Sequence, residues 1–378
     1  MTISKKLLAS TALVSVSLVG APAFASDPLT VTVSGGIVTG FYFVDADDVY
    51  STDDTKVAIS ARSLEINGEG TLDNGMVAGA SLVLEMGDDE GASANQGDEV
   101  TFQEAFAYLE GGFGRVEIGG TDGAAFKMHY TSPWFVPGNG VDSPNIFNSN
   151  ALSSTSGTVA ANSPSSYALI TEDAPKISYF TPRLSGFQLG VSYTPDATVR
   201  DPFSNGFGVS PTAGAGIQEV FEIAANYAGE IGNVELGVDV YYVTGDGPAS
   251  APDPEEIGVG ASLGFAGFTL GGAYKETEDL WLGVASTPGA EEQVWTVGLA
   301  YKTGPWTVGA AIIDSEWTTS ASANTPWRTE MIQVGGGYSL GAGVDLGLDI
   351  QFIENDYGTS VTGTAEATSA GLVLAISF

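Results

Sequence analysis

The chain has 378 residues, 46 acidic against 12 basic, for a formal net charge of −34; a nucleic-acid binder, which needs a basic footprint for phosphates, is excluded. With no Cys and one His, disulfides, thiolate metal sites, Cys nucleophiles and multi-His centres are excluded too. A hydrophobic fraction of 43% is too high for an acidic disordered chain, and 51 glycines beside plentiful aliphatic and aromatic residues indicate an ordered, Gly-rich β protein.

Lys5 and Lys6 precede an apolar run from Leu7 to Gly20, and Ala23-Phe24-Ala25 supplies an A-x-A site. This pattern predicts a secretory leader over residues 1–25, cleaved after Ala25. The run is too short for a comfortable membrane-spanning helix, which needs ~20 apolar residues. Residues 26–378 are expected to form one domain. An exported chain without Cys fits a Gram-negative envelope.

Beyond the leader, segments of ~10 residues alternate apolar with small or polar residues, the mark of half-buried strands. Val234, Leu236, Val238 and Val240 alternate with Glu235, Gly237 and Asp239. Ile257, Val259, Ala261 and Leu263 alternate with Gly258, Gly260 and Ser262. Val344, Leu346, Leu348 and Ile350 alternate with Asp345, Gly347 and Asp349. At the C-terminus Ala370, Leu372, Leu374, Ile376 and Phe378 share a face; Gly371, Ala375 and Ser377 share the other, with Val373 as an exception.

Sixteen strands are predicted, starting near Leu29, Val57, Met76, Val100, Gly114, Pro175, Gly186, Gln218, Asn233, Glu255, Gly267, Glu292, Pro305, Arg328, Ala342 and Glu366. Tight turn signals such as Asp73-Asn74-Gly75, Ser185-Gly186 and Ala266-Gly267 mark every other junction. Long acidic or Ser/Thr/Pro-rich stretches mark the junctions between. That rhythm is the one expected of an antiparallel up-and-down transmembrane β-barrel in an outer membrane, with short turns on one side and long loops on the other. Sixteen is even, as in bacterial single-chain barrels, and a barrel of that size encloses water rather than a packed core. Aromatics near strand ends, among them Phe41, Tyr42, Phe43, Tyr241, Tyr242, Tyr274, Trp281, Trp295, Tyr301, Trp306, Trp317, Trp327 and Tyr357, are candidates for interfacial girdles.

Between the fifth and sixth strands, Asp122 to Ala174 shows no sustained alternation and holds Pro133, Pro137, Pro144 and Pro164. A loop this long in a barrel is expected to be functional, folding inward to narrow the lumen. Asp122, Asp142, Glu172 and Asp173 are its candidate pore carboxylates. Arg62, Arg115, Glu117 and Lys176 are candidates on neighbouring strands; Arg115 and Glu117 alternate with Val116 and Ile118, which places both on the lumen face. Opposed acids and bases across a narrow lumen create a transverse field that selects ions. The bland alternative is a loop that lies outside the barrel.

Tyr108-Leu109-Glu110-Gly111-Gly112-Phe113-Gly114-Arg115-Val116-Glu117-Ile118-Gly119 resembles the strand-turn-strand that precedes the constriction loop of Gram-negative general porins. Arg62 to Glu85 is similar to their second hairpin, and Lys176 to Tyr193, with Pro182 and Gly186-Phe187, to the segment after that loop. The terminal Phe378 resembles the signal read by outer-membrane assembly machinery. The α-proteobacterial, purple-bacterium type is the nearest likeness. The resemblance implies a 16-stranded homotrimer in outer-membrane lipid and lipopolysaccharide, a third loop folded into the pore, and passive diffusion of small hydrophilic solutes. It implies Arg62 and Arg115 as wall bases and Asp122 and Asp142 as loop acids. The few bases argue for an acidic, cation-favouring pore.

No enzyme activity and no cofactor are expected. Gly260-Ala261-Ser262-Leu263-Gly264 matches G-x-S-x-G, but Ser262 sits inside an alternating strand and the lone His129 lies upstream. His129 reads as an ordinary loop residue. The acidic runs Asp45-Ala46-Asp47-Asp48 and Asp88-Asp89-Glu90 offer oxygen ligands for Ca²⁺, without EF-hand spacing. Two other readings stay open. One is a solute-specific channel in which Tyr130, Trp134 and Phe135 bind a sugar; the other is a secreted acidic β-sandwich adhesin.

Overall fold

The computed structural model describes residues 29–46, 54–86, 100–142, 164–199, 216–248, 251–280, 290–318, 326–356 and 364–378. The predicted leader lies outside them. Sixteen antiparallel strands close into one barrel in sequence order. They are β1 (Thr30–Ala46), β2 (Asp54–Thr71), β3 (Val77–Met86), β4 (Val100–Gly111), β5 (Gly114–Gly120), β6 (Pro175–Phe180), β7 (Phe187–Asp196), β8 (Gln218–Ile231), β9 (Val234–Asp246), β10 (Glu255–Phe265), β11 (Phe268–Leu280), β12 (Ala290–Thr303), β13 (Trp306–Thr318), β14 (Trp327–Gly341), β15 (Val344–Asp356) and β16 (Thr364–Ser377). Each predicted start lies within three residues of the observed one. One helical turn, α1 (Ala124–Lys127), lies between β5 and β6.

Neighbours pair residue for residue, from Thr30↔Glu69 of β1 and β2 to Val344↔Ile376 of β15 and β16. The seam is β1 on β16, running from Gly36↔Ser377 to Ala46↔Ala367. Two backbone bonds finish it: Gly35 N–H to Phe378 O at 2.9 Å and Phe378 N–H to Gly35 O at 3.0 Å. No strand edge is left, which lipid requires because it offers backbone groups no partner.

The period-two pattern sorts the faces. Ile118, Ile177, Val238, Val240, Ile257, Val259, Val297, Leu299, Leu346, Leu348 and Leu372 are exposed on the outer face. Their neighbours Glu117, Lys176, Asp239, Thr296, Asp349 and Gln351 are buried on the inner one. An exposed apolar outside and a polar inside is a soluble protein inverted, and it rules out the sandwich adhesin. Ring pairs flank the short turns: Phe187–Tyr227 at 4.9 Å, Phe268–Tyr301 at 4.4 Å and Trp306–Tyr338 at 4.5 Å. Of the girdle candidates, Phe41, Phe43, Tyr242, Tyr274, Trp295 and Trp306 are exposed, whereas Tyr42 and Tyr241 alternate inward and are buried. Trp281 and Tyr357 lie outside the described residues.

The tight turns follow their residues. Ala266 and Gly267 have φ of 50° and 87°, and Ser185 and Gly186 of 51° and 91°. Two successive positive φ values match the right-handed twist of the flanking strands.

β5 and β6 have only 7 and 6 residues. A tilted strand needs about 9–11 to cross the hydrocarbon. The wall therefore lets go of the chain partway up the barrel, and the segment from Thr121 to Ala174 starts inside.

Candidate functional site: the inward loop

The described parts of this segment, 121–142 and 164–174, lie against the inner wall. Lys176 of β6 closes the neck: its Nζ donates to the carbonyl oxygens of Thr121 and Glu172. α1 docks next. Ala124 N–H donates to Ser192 Oγ of β7 at 2.8 Å, and Ala125 N–H to Glu222 Oε2 of β8 at 2.9 Å. These are helix-start N–H groups that have no partner within the helix. Gly123 is needed there, because a Cβ would lie 2.0 Å from Glu222 Oε2.

The loop then follows the wall. Asn226 of β8 donates to Met128 O at 3.1 Å. His129 Nδ1 lies 2.9 Å from Asp239 Oδ2 of β9, whose Oδ1 accepts Tyr130 N–H at 2.7 Å. Ser132 and Thr296 of β12 share a hydroxyl bond at 3.0 Å. At the tip, Asn139 Nδ2 donates to Asp349 of β15 at 2.7 Å.

Inner-face glycines make this path possible. A Cβ on Gly237 would lie 2.5 Å from the Tyr130 ring, on Gly260 1.9 Å from Tyr130 O, and on Gly271 2.5 Å from Thr131 O. On Gly309 it would lie 2.4 Å from the Phe135 ring, on Gly335 2.9 Å from Val136, and on Gly347 2.7 Å from Pro137. The glycines form a shallow track across β9 to β15 in which residues 130–137 sit. The loop also brings apolar cover: Phe135, Val136 and Val141 share a buried cluster with Val38, Ile313, Met331, Ile353 and Val373. Ala124, Ala125 and Met128 share another with Phe180, Val220 and Val243.

The predicted site residues divide accordingly. Arg115 and Glu117 face the lumen as a pair at 2.6 Å, and Arg115 also reaches Glu110 at 3.1 Å and the Tyr108 ring. Lys127 of α1, which sequence reasoning missed, bonds Glu117 at 2.5 Å and sits 4.8 Å from the Phe106 ring centre. Asp122 and Asp173, one at each end of the loop, are half-buried beside Glu104 of β4, also missed; the three carboxylates lie within 4.8 Å. They are the one such acidic group among the described residues, an oxygen-only set able to share a proton or a hard cation. Burial first, then the Glu104 charge, pushes the Asp122 carboxyl up to about 7. Burial and the Asp122 charge push Asp173 up as well. Glu172 is half-buried at φ 34°, turning its carbonyl to Lys176. Arg62 lies in β2 opposite Ile37, and its side chain is outside the described set.

Asp142 corrects the expectation of a pore-lining carboxylate. It is fully buried and accepts bonds from Ser165 Oγ and Ser166 N–H, each at 3.0 Å, and from the Thr131 and Ser166 hydroxyls. It ties the loop's outgoing and returning limbs together. Ser166 Oγ in turn lies 3.1 Å from His129 Nε2. Ser166, His129 and Asp239 thus form a buried fastening; the serine hydroxyl is spent on Asp142. Each of the three loop aromatics packs against a glycine. Tyr130 lies on Gly237, Trp134 on Gly140 and Phe135 on Gly309. Of the acidic runs, Asp45 and Ala46 end β1; Asp47, Asp48 and Asp88-Asp89-Glu90 lie outside the described residues.

A closed barrel with an apolar outside, a polar inside and a loop fastened within it is the architecture of an outer-membrane channel. The chain belongs to the Gram-negative porin family, whose model matches residues 9–358. It is an outer-membrane β-barrel. It is 17% identical to an anion-selective porin from Comamonas acidovorans, over 93% of this chain and 100% of that one, with a TM-score of 0.58. The outer-membrane protein OmpT of Vibrio cholerae is 11% identical over 94% of this chain and 99% of its own, with a TM-score of 0.61. At these identities the likeness is one of fold. An uncharacterised protein of Rickettsia conorii is 30% identical over 136 residues, which is 32% of this chain and 30% of the relative; the match thus spans about a third of that curated relative's length.

Two predictions follow from this geometry. Gly309→Leu should displace Phe135 from its seat, lower the barrel's stability by ~1–3 kcal/mol and raise single-channel noise. Gly68→Leu, where nothing lies within 4 Å of the added Cβ, should do neither; urea unfolding in micelles and bilayer recordings check both. Asp122 is neutral below about pH 7 and charged above it. Cation preference should therefore rise as pH increases through that range, and Asp122→Asn should flatten the rise, as read from reversal potentials between pH 5 and 9.

Proposed function

We propose that this porin is a general diffusion channel for small hydrophilic solutes and ions that favours cations. One observation carries the reading: Arg115, Lys127, Lys176 and Lys275 of the described inner wall and loop are held by acids or carbonyls, while several described acids have no base in ion-pair reach. Arg115 is held by Glu117 and Glu110, Lys127 by Glu117, and Lys275 by Glu292. Lys176 is spent on two carbonyls. Glu104, Asp122 and Asp173 remain, clustered where the loop leaves the wall. A surplus of fixed negative charge lowers the barrier for cations and raises it for anions.

Generality is supported by the loop aromatics. Tyr130 and Phe135 each lay a ring against a wall glycine, which closes that side of the ring to a sugar. The same reading takes residues 1–25 as a cleaved leader, the terminal Phe378 as the signal to the assembly machinery, and the active form as a homotrimer in lipid and lipopolysaccharide.

The test is a planar bilayer recording of the detergent-extracted protein in a KCl gradient. Stepwise closures in threes and a cation-favouring reversal potential are expected, with Glu104→Gln reducing the preference. An anion-favouring potential would overturn the charge argument. Saturable block by a sugar would overturn generality.

A further inference from the structure

His129 is the one histidine of the chain, and it is buried where both limbs of the inward loop meet the wall. Its Nδ1 lies 2.9 Å from Asp239 Oδ2 of β9, and its Nε2 lies 3.1 Å from Ser166 Oγ of the returning limb. The rings of Tyr167 and Tyr241 stand edge-on to it, with centroids 5.5 and 5.2 Å away. The titratable groups around it are Asp239 and Tyr241 of β9 and Tyr130, Asp142 and Tyr167 of the loop. Glu256 of β10 lies beyond Tyr241. Lys275 of β11 reaches Tyr167 O at 3.4 Å and is itself paired with Glu292.

Counting protons along this chain of contacts assigns the donors. An ionised carboxylate only accepts, so Nδ1 carries a proton toward Asp239, whose other oxygen takes Tyr130 N–H at 2.7 Å. The Ser166 hydroxyl has a single proton and gives it to Asp142. Asp142 also accepts from the Thr131 and Ser165 hydroxyls and from Ser166 N–H. Ser166 then has no proton left for Nε2, and their contact is a hydrogen bond only where Nε2 donates. The other way to fill every contact puts the extra proton on Asp142 and turns the Ser166 hydroxyl to Nε2. A carboxylate that accepts several hydrogen bonds favours its ionised form, and imidazole is intrinsically the more basic group by ~2–3 pK units.

We propose that His129 is an imidazolium in the folded channel, a positioning residue that donates from Nδ1 to Asp239 and from Nε2 to Ser166 and so fastens both limbs of the inward loop. Its charge answers two buried carboxylates, Asp239 directly and Asp142 through one hydroxyl. The fastening has a direction in pH. It holds while both ring protons are present. Once alkali removes the Nε2 proton, two lone pairs face each other and the returning limb loses this tie. The inference stands apart from the conduction reading, because its first readout is the protonation of one ring.

The test uses the untagged full barrel in lipid bilayers, labelled with ring-¹⁵N histidine, so that His129 gives the only signal. Magic-angle-spinning NMR at about pH 8, where imidazole free in water is mostly neutral, should show two protonated ring nitrogens. One protonated and one bare nitrogen would overturn the proposal. Asp239→Asn keeps an oxygen for Tyr130 N–H and removes the counter-charge. It should move the loss of the imidazolium signal down by about one pH unit or more; no movement would count against the pairing. In bilayer recordings the wild-type channel should grow noisier as pH rises through the range in which that signal disappears. His129→Gln has no proton to lose there and should be as noisy at low pH as at high. A rise shared equally by wild type and His129→Gln would overturn the positioning role. Asp122→Asn should leave the wild-type rise in place, which separates it from the selectivity effect at the loop's base. The wild-type spectrum needs no variant, so the proposal stays testable even where His129→Gln does not fold.

Discussion

The pairing of β1 with β16 is the contact on which the rest of this structure depends. In hydrocarbon an unpaired N–H or C=O has no water to turn to, so an open sixteen-stranded sheet has two edges it cannot leave bare. Closure removes both at once, and the Gly35–Phe378 bonds carry it to the last residue. Once the ring is closed, strand number fixes the width, and width decides that side chains from opposite walls cannot meet. A barrel of this size has no core of its own.

The inward loop supplies the missing core, and it does so one-sidedly. From Lys176 on β6 to Asp349 on β15 and Val38 on β1, the contacts run around the wall in a single sweep. Polar fastenings and glycine seats alternate along that path. The fastenings fix position, because each buried carboxylate is matched to specific donors. The glycines fix distance, because a side chain at any of them would hold the loop off the wall. Together they turn a long irregular segment into part of the scaffold. The arc from β2 to β5 receives the described loop only near its base, through Thr121, Asp122, Lys127 and Asp173.

Period-two alternation made the strands legible, since one face meets lipid and the other does not. The loop's position was legible from its length and lack of alternation. Its seat was not, although the signal was present: Gly237, Gly260 and Gly347 read only as small residues on a water-filled face. The exception at Val373 was the better clue. An apolar residue on an inner wall needs something apolar over it, and Val373 lies in the cluster that the loop's Phe135 and Val136 complete. Asp142 misled for a related reason. A carboxylate in a pore loop suggests the pore, but Ser165 and Ser166, more than twenty residues on, fold back to bury it. Lys127 was illegible because its partner Glu117 is on another element, and sequence spacing does not bring α1 over the β4–β5 wall.

Net charge alone is a poor guide to what such a channel passes. The −34 of the chain is spread over loops, rims and lumen. At physiological ionic strength the field of an exposed charge fades within ~8 Å. Acids on outer loops therefore do little at the narrowest point, while a carboxylate in a confined, poorly solvated lumen is screened far less. Glu110, Arg115, Glu117 and Lys127 combine two acids with two bases and cancel locally. Next to them Glu104, Asp122 and Asp173 crowd three acids together, and burial first, then crowding, raises the Asp122 and Asp173 carboxyls. Like charges held this close cannot all stay ionised without a counterion. The same geometry that concentrates negative charge at the base of the loop makes that charge dependent on protons and on the cations passing by.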